Sequence, residues 1–308
     1  MSNSSGEVFL LKTSDRATGV PALLEKIRLD GFSGKSVALK ANYNSADPFP
    51  ASTHIDTLRA LVQSLKKAGS GEITLAERSG MGDTEQVLEE MGVKALAGEL
   101  GFKVTVLDDV GKDEWVKIEK AGTHWMRGFY IAKVFRDADK VVQTCCLKTH
   151  RFGGHFTLSL KNSVGLIAKK VPDGIYDYMW ELHGSPNQRK MIAEINSHYN
   201  VDFVLMDGIN AFVTGGPEKG TLVEPNLLLA SRDRVAIDAV GVAILKMYGA
   251  KGKVGEADVF EQDQLKRAAE LGFGVKSAAE IRLTPLNDGG RMEAAKIERV
   301  LNAPSLTH

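Results

Sequence analysis

The sequence predicts an α/β protein with a doubly wound, mostly parallel sheet, helices on both faces, and two lobes around a crevice. Three observations carry this expectation. Apolar runs of strand length alternate with amphipathic helical patterns over most of the 308 residues. The same strand-helix-strand order repeats through the first hundred residues. Glycine-rich turns punctuate the boundaries, as at Gly69 to Gly71 after the first helix.

Taken in order, Ser36 to Ala41 reads as a strand, and His54 to Ala68 as a helix whose Ile55, Leu58, Leu61, Val62 and Leu65 share one stripe. Glu72 to Ala76 is the next strand. A helix from about Thr84 to Met91, a second short one to Leu100 and a strand at Lys103 to Leu107 complete the pattern. Past Asp108-Asp109 no periodicity stands out until the strand Lys140 to Cys146. Ala168 to Gln188, rich in Pro, Gly and aromatics, reads as a long ordered loop or lid. Helical spacing returns from Asn187. Val201 to Met206 is a buried strand ending in Asp207-Gly208, and Gly215-Gly216-Pro217 with Gly220 makes a turn-rich connection. Asn226 to Ala230 is a further strand, with Ser231 capping a helix from about Arg232 to Tyr248. Glu256 to His308 reads as helix followed by short extended pieces. The whole is expected to be one α/β domain over 1–308, with lobes at 1–139 and 140–308.

Composition narrows the function classes. The chain has 39 basic and 39 acidic side chains, 43% hydrophobic residues and 25% charged ones, so no global charge marks a nucleic-acid or membrane-surface protein. Its two cysteines are adjacent, too few for an iron-sulfur cluster or an all-cysteine zinc site. The N-terminal MSNSSGEVFLLK lacks the layout of a secretory signal, and no run of about 18 apolar residues occurs. A cytoplasmic protein without membrane or nucleic-acid partners is expected.

The densest chemistry lies between Leu147 and Leu166, LKTHRFGGHFTLSLKNSVGL. A buried strand leads in, and a helix starting near Phe156 is expected to lead out, which would put Lys148, His150, Arg151 and His155 at a strand end or loop. Gly153 and Gly154 would let the backbone approach a ligand. A phosphate or carboxylate suits this environment, with Lys148 and Lys161 as point charges and His150 as acid, base or metal ligand. A surface loop with ordinary lysines is the alternative. Asp238 falls on the apolar stripe of its helix, so it needs a partner: Lys148 or Lys161, or else backbone amides. Asp207 ends a strand, where a site residue and an Asp-Gly turn are both at home. Lys40 interrupts an apolar strand ahead of Asn42, Asn44 and Asp47, and Glu77-Arg78-Ser79-Gly80 repeats the theme after the next strand. No G-x-S-x-G elbow, P-loop or H-E-x-x-H motif occurs.

These residues resemble the family catalogued as domain of unknown function 362. The similarity runs from Lys40-Ala41-Asn42 and Thr53-His54, through Leu147-Lys148-Thr149-His150 and Leu158-Ser159-Leu160-Lys161-Asn162-Ser163-Val164-Gly165, to Asp207-Gly208, Gly215-Gly216-Pro217 and the stretch from Ala230 to Val240. Some members of that family carry an added ferredoxin-like cluster domain, which implies redox contexts. This chain departs there, since Cys145 and Cys146 are its only cysteines. The strand-helix opening is also distantly similar in fold to the N-terminal half of nickel-pincer lactate racemases, an analogy of fold only.

The expected function is that of an enzyme acting on a small anionic metabolite by acid/base or metal-assisted chemistry. His150, Lys148 and Asp238 are the catalytic candidates, and Lys40, Asn42, Lys161, Asn162 and Asp207 the substrate-binding ones. The cofactor is left open, with a divalent metal a candidate and an iron-sulfur cluster not expected in this chain. A small-molecule ligand is the expected partner, and a homo-oligomer a candidate assembly. The alternative is a non-catalytic ligand-binding or redox-accessory protein.

Overall fold

A computed structural model describes residues 6–152, 155–172 and 174–303. The elements begin with β1 (Gly6–Lys12), β2 (Val37–Lys40), β3 (Ile73–Glu77) and β4 (Lys103–Val106). After the short strands β5 (Trp115–Ile118) and β6 (Phe129–Ala132) come β7 (Lys140–His150), β8 (His155–Thr157) and β9 (Phe203–Gly215). The last are β10 (Gly220–Val223), β11 (Leu227–Ser231) and β12 (Ile281–Pro285). Among the described residues, ten strands form one sheet in the order β12-β1-β11-β9-β7-β2-β3-β4, with β8 beside β7 and β10 beside β9, while β5 and β6 pair separately.

The expected mostly parallel α/β sheet is present. β9, β7, β2, β3 and β4 run parallel, and β12 runs parallel to β1. β11 breaks the rule, lying antiparallel to both β9 and β1. Its connection explains this. The chain leaves β9 by the turn at Gly215-Gly216-Pro217, pairs as β10, and re-enters at Leu227, without room for the crossover that a parallel return needs.

Alternation along the strands assigns the two faces. Val204, Met206, Leu227 and Leu229 pack on one core around the helix Arg234–Met247. Phe203, Leu205, Leu228 and Ala230 face the other, with the helices Arg16–Ile27 and Ile55–Lys67. The helix Arg234–Met247 is buried without a break from Val235 to Leu245, so each of its larger aliphatic side chains contributes about 1.5–3 kcal/mol. Its N-cap is Asp233, which accepts from the amides of Val235 and Ala236, whereas the expected cap Ser231 ends β11. A third cluster joins Trp115, Trp125 and Phe129 to Met191 and Ile192 and covers the remaining part of the first face.

Several elements differ from expectation. β1 was not among the expected strands, although Val8 to Leu11 is an apolar run, and it inserts between β11 and β12, far from the other N-terminal strands. β7 runs on to His150 instead of ending at Cys146. Phe156 belongs to β8, not to a helix: Thr149 pairs with Phe156 and His150 with His155, while the Phe156 ring is fully buried. The helix that follows is only Ser159–Asn162, continued by a 3-10 turn at Ser163–Leu166. Gly153 and Gly154, the expected hinge, lie outside the described residues. Within the expected lid, the helix Tyr178–Gly184 is regular and capped by Asp177.

Candidate functional site

The sheet order reverses between β2 and β7: the chain runs outward through β3 and β4 on one side, then returns to lay β7 and β9 on the other. At such a switch point the connections leave the strand ends in opposite directions and open a crevice beyond the carboxyl ends. A cavity of about 380 Å³ lies there. Lys40 ends β2, Glu77 ends β3, and Lys148 and His150 close β7, so four side chains reach it from three neighbouring parallel strands. Lys161 and Asn162 enter from the short helix, and Arg78 from just past β3.

A buried polar network forms the floor. The Lys40 ammonium donates to Glu77 Oε1 at 2.7 Å and Oε2 at 2.8 Å, and both side chains are sealed from water, at 2% and 0% exposure. Burial pushes the Lys40 amine down and the Glu77 carboxyl up, and their mutual attraction pulls each back. Lys40 also reaches Asn162 Oδ1 at 3.4 Å, which accepts from Asn42 Nδ2 at 3.3 Å. Asn42 Oδ1 in turn accepts from Lys148 Nζ at 2.8 Å. Lys148 also donates to the Ala51 carbonyl. Its ammonium is fully buried and bonded only to neutral oxygens, so burial lowers its pKa without a carboxylate in contact to restore it.

Above the floor, donors stand idle. Arg78 is 4% exposed; Nη2 donates to the Val164 carbonyl at 2.6 Å, but Nε and Nη1 have no partner among the described residues. Burial lowers its pKa to about 10. Tyr43 Oη and Thr157 Oγ1 line the same cavity and are equally unsatisfied. The side chain of the partly buried Lys161 has neither hydrogen bond nor ion pair among the described residues; burial, with Lys148 and Arg78 nearby, lowers its pKa to about 7. Among the described residues, six lysine and arginine side chains line the cavity against two carboxylates, Glu77 and Asp177.

Two imidazoles face the same space with opposite polarity. His150 Nδ1 accepts from the Phe152 amide at 3.1 Å, so a neutral His150 carries its proton on Nε2. Burial, then Lys161 and Lys148, push it down to about 2, which keeps it neutral. His183 sits at the mouth, where Nδ1 contacts the Met179 carbonyl at 2.6 Å. A carbonyl only accepts, so Nδ1 bears hydrogen and Nε2 of the neutral ring offers a lone pair.

Of the residues singled out from sequence, Lys40, Asn42, Lys148, His150, Lys161 and Asn162 therefore meet at one cavity. Asp207 and Asp238 do not line it. Asp207 accepts from Arg16 Nε at 2.7 Å and from Thr57 Oγ1 at 2.5 Å, tying the helices Arg16–Ile27 and Ile55–Lys67 to β9. Asp238 accepts from the amides of Ser159 and Leu160 at 2.8 and 2.9 Å and so fixes the start of the helix that carries Lys161. Its partners are backbone amides, not the lysines, and burial pushes its carboxyl up to about 7 against the pull of those bonds. Arg78, His183, Tyr43 and Thr157 were not singled out. Arg78 stood inside the polar Glu77-to-Gly80 run, which was the available signal, and the other three had none.

No three His, Cys, Asp or Glu side chains gather to hold a metal among the described residues. His150 and His183 are the cavity's imidazoles, and the surplus positive charge around them opposes a divalent cation. Cys145 and Cys146 are buried in β7, and burial raises both thiols, so neither is a ready thiolate. No helix among the described residues is long and apolar enough to cross a membrane.

Fold and site together define an α/β protein with a cation-lined cavity at the carboxyl ends of its parallel strands. The chain belongs to the family described as domain of unknown function (DUF362), whose model matches residues 37–243 and so spans β2 through most of the helix Arg234–Met247. No curated protein matches. Among solved structures, the lactate racemase apoprotein from Thermoanaerobacterium thermosaccharolyticum is similar at 18% identity and a TM-score of 0.45, over 73% of this chain and 54% of that one. The chain thus spans about half the length of that structure.

Proposed function

We propose that the protein binds a small metabolite bearing a phosphate or carboxylate and acts on it by acid/base chemistry in the cavity at the β2/β7 switch point. One observation carries this reading: Arg78, with two idle buried nitrogens, and Lys148, with no carboxylate in contact, face the same cavity. Buried donors without partners cost about 1–3 kcal/mol each, a cost that an anion seated among them removes. Arg78 and Lys148 hold the anion. His150 donates from Nε2 to an oxygen where negative charge builds, and His183 Nε2 takes up a proton.

Thermal unfolding with and without inorganic phosphate or acetate tests the binding step. A ligand at a hundred times its Kd stabilises by about 2.7 kcal/mol, and Arg78→Met, with its circular dichroism unchanged, should lose most of that gain. Equal stabilisation of Arg78→Met and the parent chain, or none by either anion, refutes the reading. A bound metabolite that leaves the purified protein chemically unchanged after prolonged incubation would instead favour a ligand-binding protein without turnover.

A further inference from the structure

Lys161 differs in kind from the cations beside it. Lys40 has Glu77, Lys148 has two oxygen acceptors and Arg78 has the Val164 carbonyl, whereas Lys161 has no acceptor at all among the described residues. A lysine placed to hold an anion works only as the ammonium. Among the described residues no acceptor or carboxylate holds Lys161 in that form, and the charged groups beside this amine, Arg78 and Lys148, are cations. That setting favours the neutral amine, which is a nucleophile. The helix that carries it is held by the bonds from the Ser159 and Leu160 amides to Asp238. The cavity therefore presents fixed anion-binding donors and a free amine to one ligand.

We infer that Lys161 forms a Schiff base with the carbonyl group of a small carboxylate, with the carboxylate seated on Arg78. This rests on the anion-binding reading above and deepens it by naming the substrate class, an oxo-carboxylate. Lys161 first gives one ammonium proton to His183 Nε2. Its lone pair then adds to the carbonyl carbon, and the π pair becomes an alkoxide facing the His150 Nε2–H. The alkoxide, held by that donor, takes one proton from the Lys161 nitrogen, and His183 returns the proton it holds to the resulting hydroxyl. The oxygen departs as water while the nitrogen lone pair closes the C=N bond. Overall, one ammonium and one carbonyl group give one iminium and one water. The displacement of the Lys161 pKa to about 7 agrees with this role, since an ordinary exposed lysine at the same pH holds only about a thousandth of its amines neutral.

Borohydride trapping tests it, with pyruvate as the probe. The intact protein is incubated with pyruvate near pH 7.5, reduced, digested and mapped by mass spectrometry. The expected result is one reduced pyruvate adduct on Lys161, formed on the order of a hundredfold faster than on exposed lysines, and absent from Lys161→Arg. Adducts spread evenly over surface lysines, or none on Lys161, overturn the inference. Thermal stabilisation by pyruvate, read in parallel, separates the two failures. Stabilisation without trapping sinks the Schiff base alone, and the absence of both sinks the anion site as well.

Discussion

Replacing Glu77 by Gln removes one charge from the Lys40–Glu77 pair while nearly preserving its shape. In the parent chain the Lys40 ammonium lies between both Glu77 oxygens, at 2.7 and 2.8 Å, in a position water does not reach. Gln leaves one acceptor there and strands a positive charge, a change worth about 3–5 kcal/mol when a buried pair is broken. The loss has a ceiling set by the amine itself. Lys40 can shed its proton, which from an ordinary lysine pKa of about 10.4 costs about 4.6 kcal/mol at pH 7 and about 1.9 kcal/mol at pH 9. The penalty of Glu77→Gln should therefore fall from about 3 kcal/mol or more at pH 7 to no more than about 1.9 kcal/mol at pH 9. Urea unfolding of parent and variant at both pH values measures it, and the double variant Lys40→Met with Glu77→Gln should recover most of the loss. A penalty below about 1 kcal/mol at pH 7, or one unchanged at pH 9, would refute the claim that a stranded ammonium is the cause.

Two further outcomes follow from the same site. A Cβ added at Gly165 would lie 2.6 Å from Lys40 Cε and 2.9 Å from Nζ; because that lysine is locked by Glu77, Gly165→Ala should cost about 1–3 kcal/mol in urea unfolding, and a neutral effect would show that Lys40 can move aside. His150 has a folded pKa pushed down to about 2 from the usual value near 6.5, so as pH falls below 6.5 the unfolded chain takes up a proton that the folded one refuses. Stability is therefore lost progressively between pH 6.5 and 2, and His150→Gln should lose less of it from pH 7 to pH 5 than the parent does; parallel curves would contradict the assigned burial.

Much of this arrangement could be read from local pattern, and the rest could not. β2, β3, β4 and the helices between them have apolar spacing that points to one partner surface, so their order followed from periodicity. β1 carries the apolar run Val8 to Leu11, but its place in the sheet is set only by pairing with strands more than two hundred residues away. The apolar spacing from Phe156 pointed to a helix, and its pairing with Thr149 places it in a hairpin instead. At the site, Lys40 stood out by interrupting an apolar strand, Asn42 by opening the polar loop after it, and Lys148 and Asn162 by their place in the donor-rich run from Leu147 to Leu166. Asp238 was legible as a buried carboxylate, but whether lysines or backbone amides would answer it depended on where residues 159 and 160 came to rest. Arg78 acquires its idle nitrogens only from burial, a property of the assembled cavity, not of its neighbours in the chain.

The position of β1 bears on how the protein is made. Its two neighbours, Leu227–Ser231 and Ile281–Pro285, lie more than two hundred residues further along the chain. β1 thus waits without these partners while the more than two hundred residues between them are translated. During synthesis its open edges are exposed to other nascent chains, and this side of the sheet closes only once β11 has been translated, whereas β2, β3 and β4 can pair long before that.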